Sequence, residues 1–158
     1  MSLRNRIRAM ASAHELLAET RWHGLSLAAL VAEEVAPFAA GNRVIMSGES
    51  VILSPRAALP LALVMHELVA NSAKYGALSV PDGQIEIVWD SDSEKNVVLH
   101  WRESGGPPVL PPVRRGFGSL LIERSLKQEI GGSVTQSFEP EGLICHLVIP
   151  LGHVSWTV

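Results

Sequence analysis

The chain has few cysteines and few charged residues, and both shortages limit the kinds of site and partner that it can have. Cys145 is the single cysteine among 158 residues, which excludes an intrachain disulfide and a cysteine-based metal cluster. Because it lies in an apolar, strand-like run, Cys145 is expected in the core rather than as a nucleophile. Charged residues make up only 18% of the chain, which indicates that part of an apolar surface meets a partner. The net charge of −3 gives no general attraction to nucleic acid or acidic membranes, so any anion site must be local.

Several sequence signatures are absent as well. No apolar run reaches about 18 residues, so no membrane span is predicted. The basic start of the chain lacks the apolar block and cleavage site of a secretion signal, which predicts a cytoplasmic location. There is no Gly-x-Ser-x-Gly motif, no paired cysteine motif and no Walker-type loop. His23, His100, His146 and His153 show no metal-ligand spacing.

The length and apolar content of the chain suit one folded domain, with or without a helical extension. Apolar residues make up 47% of the chain and the mean hydropathy is +0.21, which is enough to bury a core. Apolar periodicity and capping residues predict helices over 4–20, 26–34, 60–75 and 118–130, and strands over 43–46, 50–53, 84–89, 96–102, 133–138 and 143–150. This order predicts an α+β two-layer sandwich, with helices on one face of a mixed sheet.

The third predicted helix, with Pro60 in its first turn, carries a polar stripe. At 100° per residue, Glu67, Asn71 and Lys74 fall within about 60° of one another. One interpretation is a solvated face with a weak Glu67–Lys74 pair. The other is a magnesium–phosphate site, in which Asn71 offers a neutral oxygen to Mg²⁺ and Lys74 offers charge to phosphate. Glu67 would then orient a water or accept a proton.

Glycine-rich segments follow two later elements. The strand ending in Trp101-Arg102-Glu103 runs into Gly105-Gly106, where the backbone can approach a flat ligand closely. Glu103 could accept a hydrogen bond from an exocyclic amine such as that of adenine. Farther on, Gly116-Phe117-Gly118-Ser119 opens a helix, whose first N–H groups favour phosphate. Arg114 and Arg115 precede it, and either an ordinary turn or an anion site fits these two segments.

Two histidines lie on predicted helices. His66 adjoins Glu67 but projects about 100° away from it, so a buried, hydrogen-bonded residue that braces the helix is expected rather than a catalytic one. His14 lies on the first helix. A phosphorylatable histidine needs an exposed imidazole, and the sequence does not establish one at His14.

In this order, the segments resemble the catalytic ATP-binding domain of bacterial sensor histidine kinases, a two-layer α/β sandwich of the GHKL (Bergerat) type. The HWE subgroup is the closer likeness, since a histidine in its asparagine box and a Trp-x-Glu in its first glycine box mark it. His66 and Trp101-Arg102-Glu103 match both marks. The similar segments are 66–79 for the asparagine box, 103–107 and 116–119 for the two glycine boxes, and 141–143 for the closing strand.

The resemblance implies a role for each of these segments. Asn71 would ligate Mg²⁺, Glu67 would help to activate phosphoryl transfer, and Glu103 would bind the amine of adenine. The segment 107–115 would be a short, proline-rich ATP lid. The nucleotide-binding residues so implied are Asn71, Lys74, Tyr75, Glu103, Gly105, Gly106, Arg115, Gly116, Phe117, Gly118 and Ser119, with ATP and Mg²⁺ as cofactors.

The chain differs from a full kinase of this family at its start. The family's phosphoacceptor motif, His-Arg-x-x-Asn, is absent, and His14 resembles a histidine near the end of the second dimerisation helix. We therefore expect residues 1–24 to be a remnant of the dimerisation helix and a linker, 25–152 the ATP-binding kinase domain, and 153–158 a C-terminal tail. The γ-phosphoryl group of Mg-ATP would pass to a histidine outside this chain.

The implied partners are the dimerisation and phosphoacceptor segment of a full kinase and a downstream response regulator, with weak homodimerisation through the first helix. Two alternatives share parts of the pattern: a histidine phosphotransferase with a decayed ATP site, and an anti-sigma-factor-type serine kinase. The intact Asn71, Lys74 and glycine segments argue against the first alternative. The Trp-x-Glu mark and the helical N-terminal segment argue against the second.

Overall fold

The computed structural model describes residues 3–19, 23–108 and 117–157, with side chains from 122 onward in the last range. The helices are α1 (Leu3–Glu19), α2 (Leu27–Val35), α3 (Pro55–Tyr75) and α4 (Phe117–Ile130). The strands are β1 (Leu25–Ser26), β2 (Val44–Gly48), β3 (Val51–Leu53), β4 (Gln84–Ser91), β5 (Val97–Ser104), β6 (Ser133–Glu139), β7 (Gly142–Ile149) and β8 (Val154–Trp156). Short 3₁₀ turns lie at Ala36–Phe38, Ala40–Asn42, Ala77–Ser79 and Leu151–His153.

Five strands form the main sheet, in the order β2-β4-β5-β7-β6. All neighbours are antiparallel except β2 and β4, which are parallel. Side chains alternate along each strand, so β4 buries Ile85, Ile87 and Trp89 while the residues between them are more exposed. The buried face joins the apolar side chains of the helices in one core. This arrangement confirms the predicted α+β sandwich with helices on one face of a mixed sheet.

A second sheet of three short strands, β1-β3-β8, was not predicted. The sequence pattern predicts strands on either side of 47–49, and both exist, but β2 and β3 belong to different sheets. Val51 and Leu53 of β3 are buried in the core. β8 comes from the segment expected to be a tail and pairs antiparallel with β3.

Helix ends follow local capping chemistry. Ser26 caps α2, as predicted, and its hydroxyl accepts a hydrogen bond from the Ala29 N–H at 3.3 Å. The predicted start of α3 at Pro60 was wrong, because Ser54 caps the helix and Pro55 occupies its first turn. Pro60 is buried inside α3. At the end of α4 the predicted glycine stop is confirmed, since the left-handed Gly131 (φ 70°) lets its N–H and that of Gly132 bond back to the last turn.

Helix α1 packs on α3 through small and apolar side chains. Ala9, Ala13 and Leu17 are buried there, whereas Leu3 and Ile7 remain 70% and 57% exposed on the other side of α1. Within the described parts of the chain, no helix combines the length and the apolar character that a bilayer crossing requires. The position of α1 matters for the site because it covers part of the polar stripe on α3.

Candidate functional site

The stripe predicted on α3 changes from buried to exposed along the helix. Glu67 is only 1% exposed, Asn71 is half-buried, and Lys74 is exposed, as is its neighbour Tyr75. Among the described residues, neither the Asn71 amide nor the Lys74 ammonium has a hydrogen-bond or ion-pair partner. The interpretation as a plain solvated face with a weak Glu67–Lys74 pair does not fit a carboxylate buried at one end of the stripe.

Glu67 is paired with an arginine from the first helix. The Arg6 Nε donates to Glu67 Oε1 at 2.7 Å, and the exposed side-chain fractions are 14% and 1%. A buried carboxylate requires such a partner, because removing a charge from water without compensation costs several kcal/mol. The carboxylate that was predicted to activate phosphoryl transfer is therefore held by α1 in this conformation.

The carboxylate of Glu103 lies in a buried cage of hydrogen-bond donors. Its Oε1 accepts from the Ser72 hydroxyl at 2.8 Å and from the Ala77 N–H at 2.9 Å. Its Oε2 accepts from the Trp101 indole N–H at 3.0 Å. An ionised carboxylate offers about four lone-pair sites, so one acceptor position remains for a further donor such as an amine.

Close backbone approaches lock the first glycine segment onto the turn after α3. A side chain at Gly76 would collide with Glu103 Oε1. Gly105 has a left-handed φ of 72°, and a Cβ there would lie 2.7 Å from the Asp82 carbonyl oxygen. A Cβ at Gly106 would lie 2.7 Å from the Cα of Ala77. In this structure, the absence of a side chain at Gly105 and Gly106 lets their backbone pack closely against the turn after α3. The approach of these glycines to a flat ligand stays a prediction.

Two residues of this region were missed by sequence reasoning. Ser72 is fully buried, and its hydroxyl both donates to Glu103 and accepts from the Leu78 N–H at 3.2 Å. The sequence did contain one indication of this role, since Ser72 places a hydroxyl on the apolar face of the predicted helix. The Arg43 guanidinium donates to carbonyls of the turn after α3, those of Ala77, Val80 and Gly83. Its sequence neighbourhood holds no comparable signal, since these partners lie 34 to 40 residues away.

The second glycine segment is only partly described. Arg114, Arg115 and Gly116 lie outside the described residues, as does the predicted lid from 109 onward. Phe117, Gly118 and Ser119 form the first turn of α4, and their side chains also lie outside the description. Helix α4 packs along α3, which brings the helix that carries this segment beside the helix that carries Asn71.

Other residues singled out in the sequence have structural roles. His66 Nδ1 donates to Glu34 Oε2 at 3.0 Å and ties α3 to α2, so the bracing role is confirmed, although the side chain is half-buried. Cys145 is a buried core residue, as predicted. Burial, with a smaller contribution from the nearby Glu103 charge, raises the pKa of its thiol to about 12. A thiol with so high a pKa is not a nucleophile at neutral pH.

The residues around Asn71 could hold Mg²⁺ only if water and substrate phosphates supplied most of its ligands. Among the described residues, no group of three or more His, Cys, Asp or Glu side chains converges on a metal position. Mg²⁺ in phosphate sites commonly keeps several waters and takes one or two protein ligands besides the substrate phosphates. An unpartnered, half-buried amide at Asn71 fits such a donor set, whereas Glu67 is already engaged by Arg6.

Comparison with known proteins relates the chain to one family. Residues 1–50 match the model of the HWE histidine kinase family. A blue-light-activated histidine kinase from Brucella ovis is 36% identical over 151 residues, which are 92% of this chain and 31% of that protein. The chain therefore spans less than a third of the length of the curated relatives that it matches.

Solved structures show the same fold at low sequence identity. The histidine kinase domain of the blue-light-activated kinase EL346 from Erythrobacter litoralis matches with a TM-score of 0.76 at 17% identity, over 96% of this chain and 76% of that one. A structure of histidine kinase ThkA in complex with the response regulator protein TrrA matches with a TM-score of 0.58 at 17% identity, over 92% of this chain and 48% of that one.

Proposed function

Since this chain is a histidine kinase sequence of the HWE type with the fold of a histidine kinase domain, we propose that it binds Mg-ATP through α3 and the end of β5. In a full kinase it would supply the γ-phosphoryl group to a histidine on the dimerisation segment, and a response regulator would receive it next. We assign residues 1–24 to the dimerisation remnant and linker, and 25–152 to the ATP-binding domain.

One buried hydrogen bond carries this proposal. The 2.8 Å contact from the Ser72 hydroxyl to Glu103 joins the asparagine-bearing helix to the strand that leads into the first glycine segment. We infer that Asn71, the neighbour of Ser72, and Glu103, 32 positions later in the sequence, line one nucleotide-binding wall. A nucleotide on this wall would meet an adenine acceptor, a neutral magnesium ligand and an exposed ammonium.

Each group has a role that its surroundings support. Glu103 would accept the adenine amine at its remaining acceptor position. Asn71 would offer its oxygen to the magnesium ion, and the exposed Lys74 would attract phosphate. When bound, Mg²⁺ neutralises charge that develops during phosphoryl transfer. Glu67 could orient or deprotonate an incoming nucleophile only after Arg6 releases it.

Calorimetry with a non-hydrolysable ATP analogue tests the assignment of Asn71. We expect saturable binding that Mg²⁺ strengthens, and we expect Asn71→Ala to weaken the binding in Mg²⁺ at least about tenfold, or about 1.4 kcal/mol. Without Mg²⁺, the two proteins should bind nearly equally. Arg56→Ala is the matched control, because Arg56 is exposed in the first turn of the same helix.

Two outcomes would contradict this assignment. If the wild-type chain shows no saturable binding, the alternative of a phosphotransferase with a decayed ATP site gains support. If Asn71→Ala weakens binding equally with and without Mg²⁺, Asn71 is not the metal ligand.

A further inference from the structure

Two histidines meet on the sheet face opposite the helices. His100 of β5 and His146 of β7 are direct partners in the antiparallel register. Their Nδ1 atoms are 3.0 Å apart, and their rings stand edge to face, with 4.7 Å between centroids and an interplanar angle of 86°. The residues that follow and precede them, Trp101 and Cys145, are buried on the core side. The pair is thus separate from the proposed nucleotide wall, which includes the core-side Glu103.

The distance between the two nitrogens suits a shared metal ion. Metal–imidazole bonds measure about 2.0–2.1 Å, so two imidazole nitrogens at neighbouring coordination positions lie about 2.9–3.4 Å apart. Without an ion, one ring donates its Nδ1–H to the Nδ1 of the other. Ion binding would require the donor ring to lose that proton to solvent and to take one up at Nε2. Both rings would also have to turn out of the direct line between the two nitrogens, so that both Nδ1 lone pairs could point to one ion.

A carboxylate stands where it would favour the required tautomer. Asp90 Oδ1 lies 3.7 Å from His100 Nε2, on the side of the ring away from His146. Histidines that bind metals usually direct the other ring N–H to a carboxylate or carbonyl, which orients the ring and raises its basicity. On the next row of the same face, Arg102 is the register partner of Glu86, so one residue of each charge lies there.

We propose that His100 and His146 form a two-histidine surface site for a divalent transition-metal ion, with water in the remaining positions. Among the described residues no third His, Cys, Asp or Glu joins the pair, so a closed structural zinc site is excluded. Imidazole suits Cu²⁺, Ni²⁺ and Zn²⁺, and affinity for a given nitrogen site is highest for Cu²⁺. The buried Cys145 thiol, with its pKa raised to about 12, does not compete as a ligand.

Copper titration of the chain without a histidine tag tests this site. We expect calorimetry to give one equivalent of Cu²⁺ per chain, and the electron paramagnetic resonance spectrum to show coupling to two imidazole nitrogens. His100→Ala and His146→Ala should each weaken the affinity at least about tenfold, on the scale by which supporting residues already change metal affinity. His14→Ala is the control, because His14 is exposed on α1 and should leave the titration unchanged.

Asp90→Asn probes the orienting carboxylate and should weaken copper binding less than loss of either histidine. Circular dichroism checks that the variants fold. If a variant does not fold, the electron paramagnetic resonance spectrum of the wild type still tests the proposal. Coupling to fewer than two imidazole nitrogens would overturn the proposed site. Wild-type copper affinity in both histidine variants, or dependence on only one of the two, would overturn it as well.

Discussion

Glu103 gathers donors from three different parts of the chain. Ser72 belongs to α3, Ala77 to the turn that follows it, and Trp101 to the same strand as Glu103. Residues two apart on a strand share a face, which is why the Trp-x-Glu spacing places the indole N–H beside the carboxylate. The tryptophan of this motif therefore has a physical role as an internal donor that orients the acidic side chain.

Ser72→Ala should destabilise the domain by about 1–3 kcal/mol, because it leaves buried partners unsatisfied. The substitution removes a donor to Glu103 and the acceptor for the Leu78 N–H. Urea unfolding measures the loss as a shift in midpoint at an unchanged slope.

Ser79→Ala is the matched control for this prediction. The Ser79 hydroxyl donates to the Gly76 carbonyl at 2.6 Å in the same turn but is exposed, so its loss should change stability by no more than about 0.5 kcal/mol. Equal losses in the two variants would show that burial of the Ser72 hydroxyl does not determine its contribution.

At the scale of elements, α1 governs the state of the polar stripe on α3. The helices approach closely where α1 presents Ala9 and Ala13, and this contact brings Arg6 onto Glu67. The ion pair neutralises a carboxylate that is otherwise surrounded by the core. A movement of α1 away from α3 would separate Glu67 from Arg6, which the proposed role of Glu67 in phosphoryl transfer requires.

Arg6→Ala should destabilise the domain strongly, because it leaves Glu67 buried without this partner. Breaking a buried pair costs about 3–5 kcal/mol, and the lower end applies here since the Arg6 side chain is 14% exposed. Thermal or urea unfolding measures the loss, with Arg8→Ala as the exposed control on the same helix. Adding Glu67→Gln to Arg6→Ala should restore part of the stability. A loss no larger than that of Arg8→Ala would mean that the pair contributes nothing.

At the scale of the whole molecule, the chain joins helix α1 to an α+β fold like that of solved histidine kinase domains. It spans 31% of the length of the Brucella ovis relative. The short sheet joins β1, β3 and β8 from distant parts of the chain, and Ser54 at the start of α3 contacts His153 just before β8 at 3.2 Å. The C-terminal strand is thereby tied to the start of α3.

The chain alone should bind ATP without phosphorylating itself. The sequence contains no His-Arg-x-x-Asn motif, which is the expected phosphoacceptor, and Arg6 is paired with Glu67. Incubation with γ-labelled ATP should therefore leave no stable, acid-labile label on the chain. Denatured protein serves as the background control. Acid-labile label on His14 would contradict this expectation, and label on a serine of an added protein would support the serine-kinase alternative.

Local patterns in the sequence predicted most elements of the fold. The alternation of Ile85, Ile87 and Trp89, the Ser26 cap and the Gly131 stop all act within a few residues, so each can be recognised without the rest of the chain. The start of α3 was wrong because Pro60 is tolerated inside a buried helix. Strand β8 was missed because its partner lies about a hundred residues earlier, at Val51.

The sequence by itself determined the order and type of most elements and the family motifs, since periodicity, caps and motif spacing are local properties. Only the tertiary structure decided which distant side chains meet: Ser72 with Glu103, Arg6 with Glu67, and His100 with His146, at separations of 31, 61 and 46 residues. These contacts depend on strand register and helix packing. Strand register and helix packing are set by the whole core, so they cannot be predicted from any short segment of the sequence.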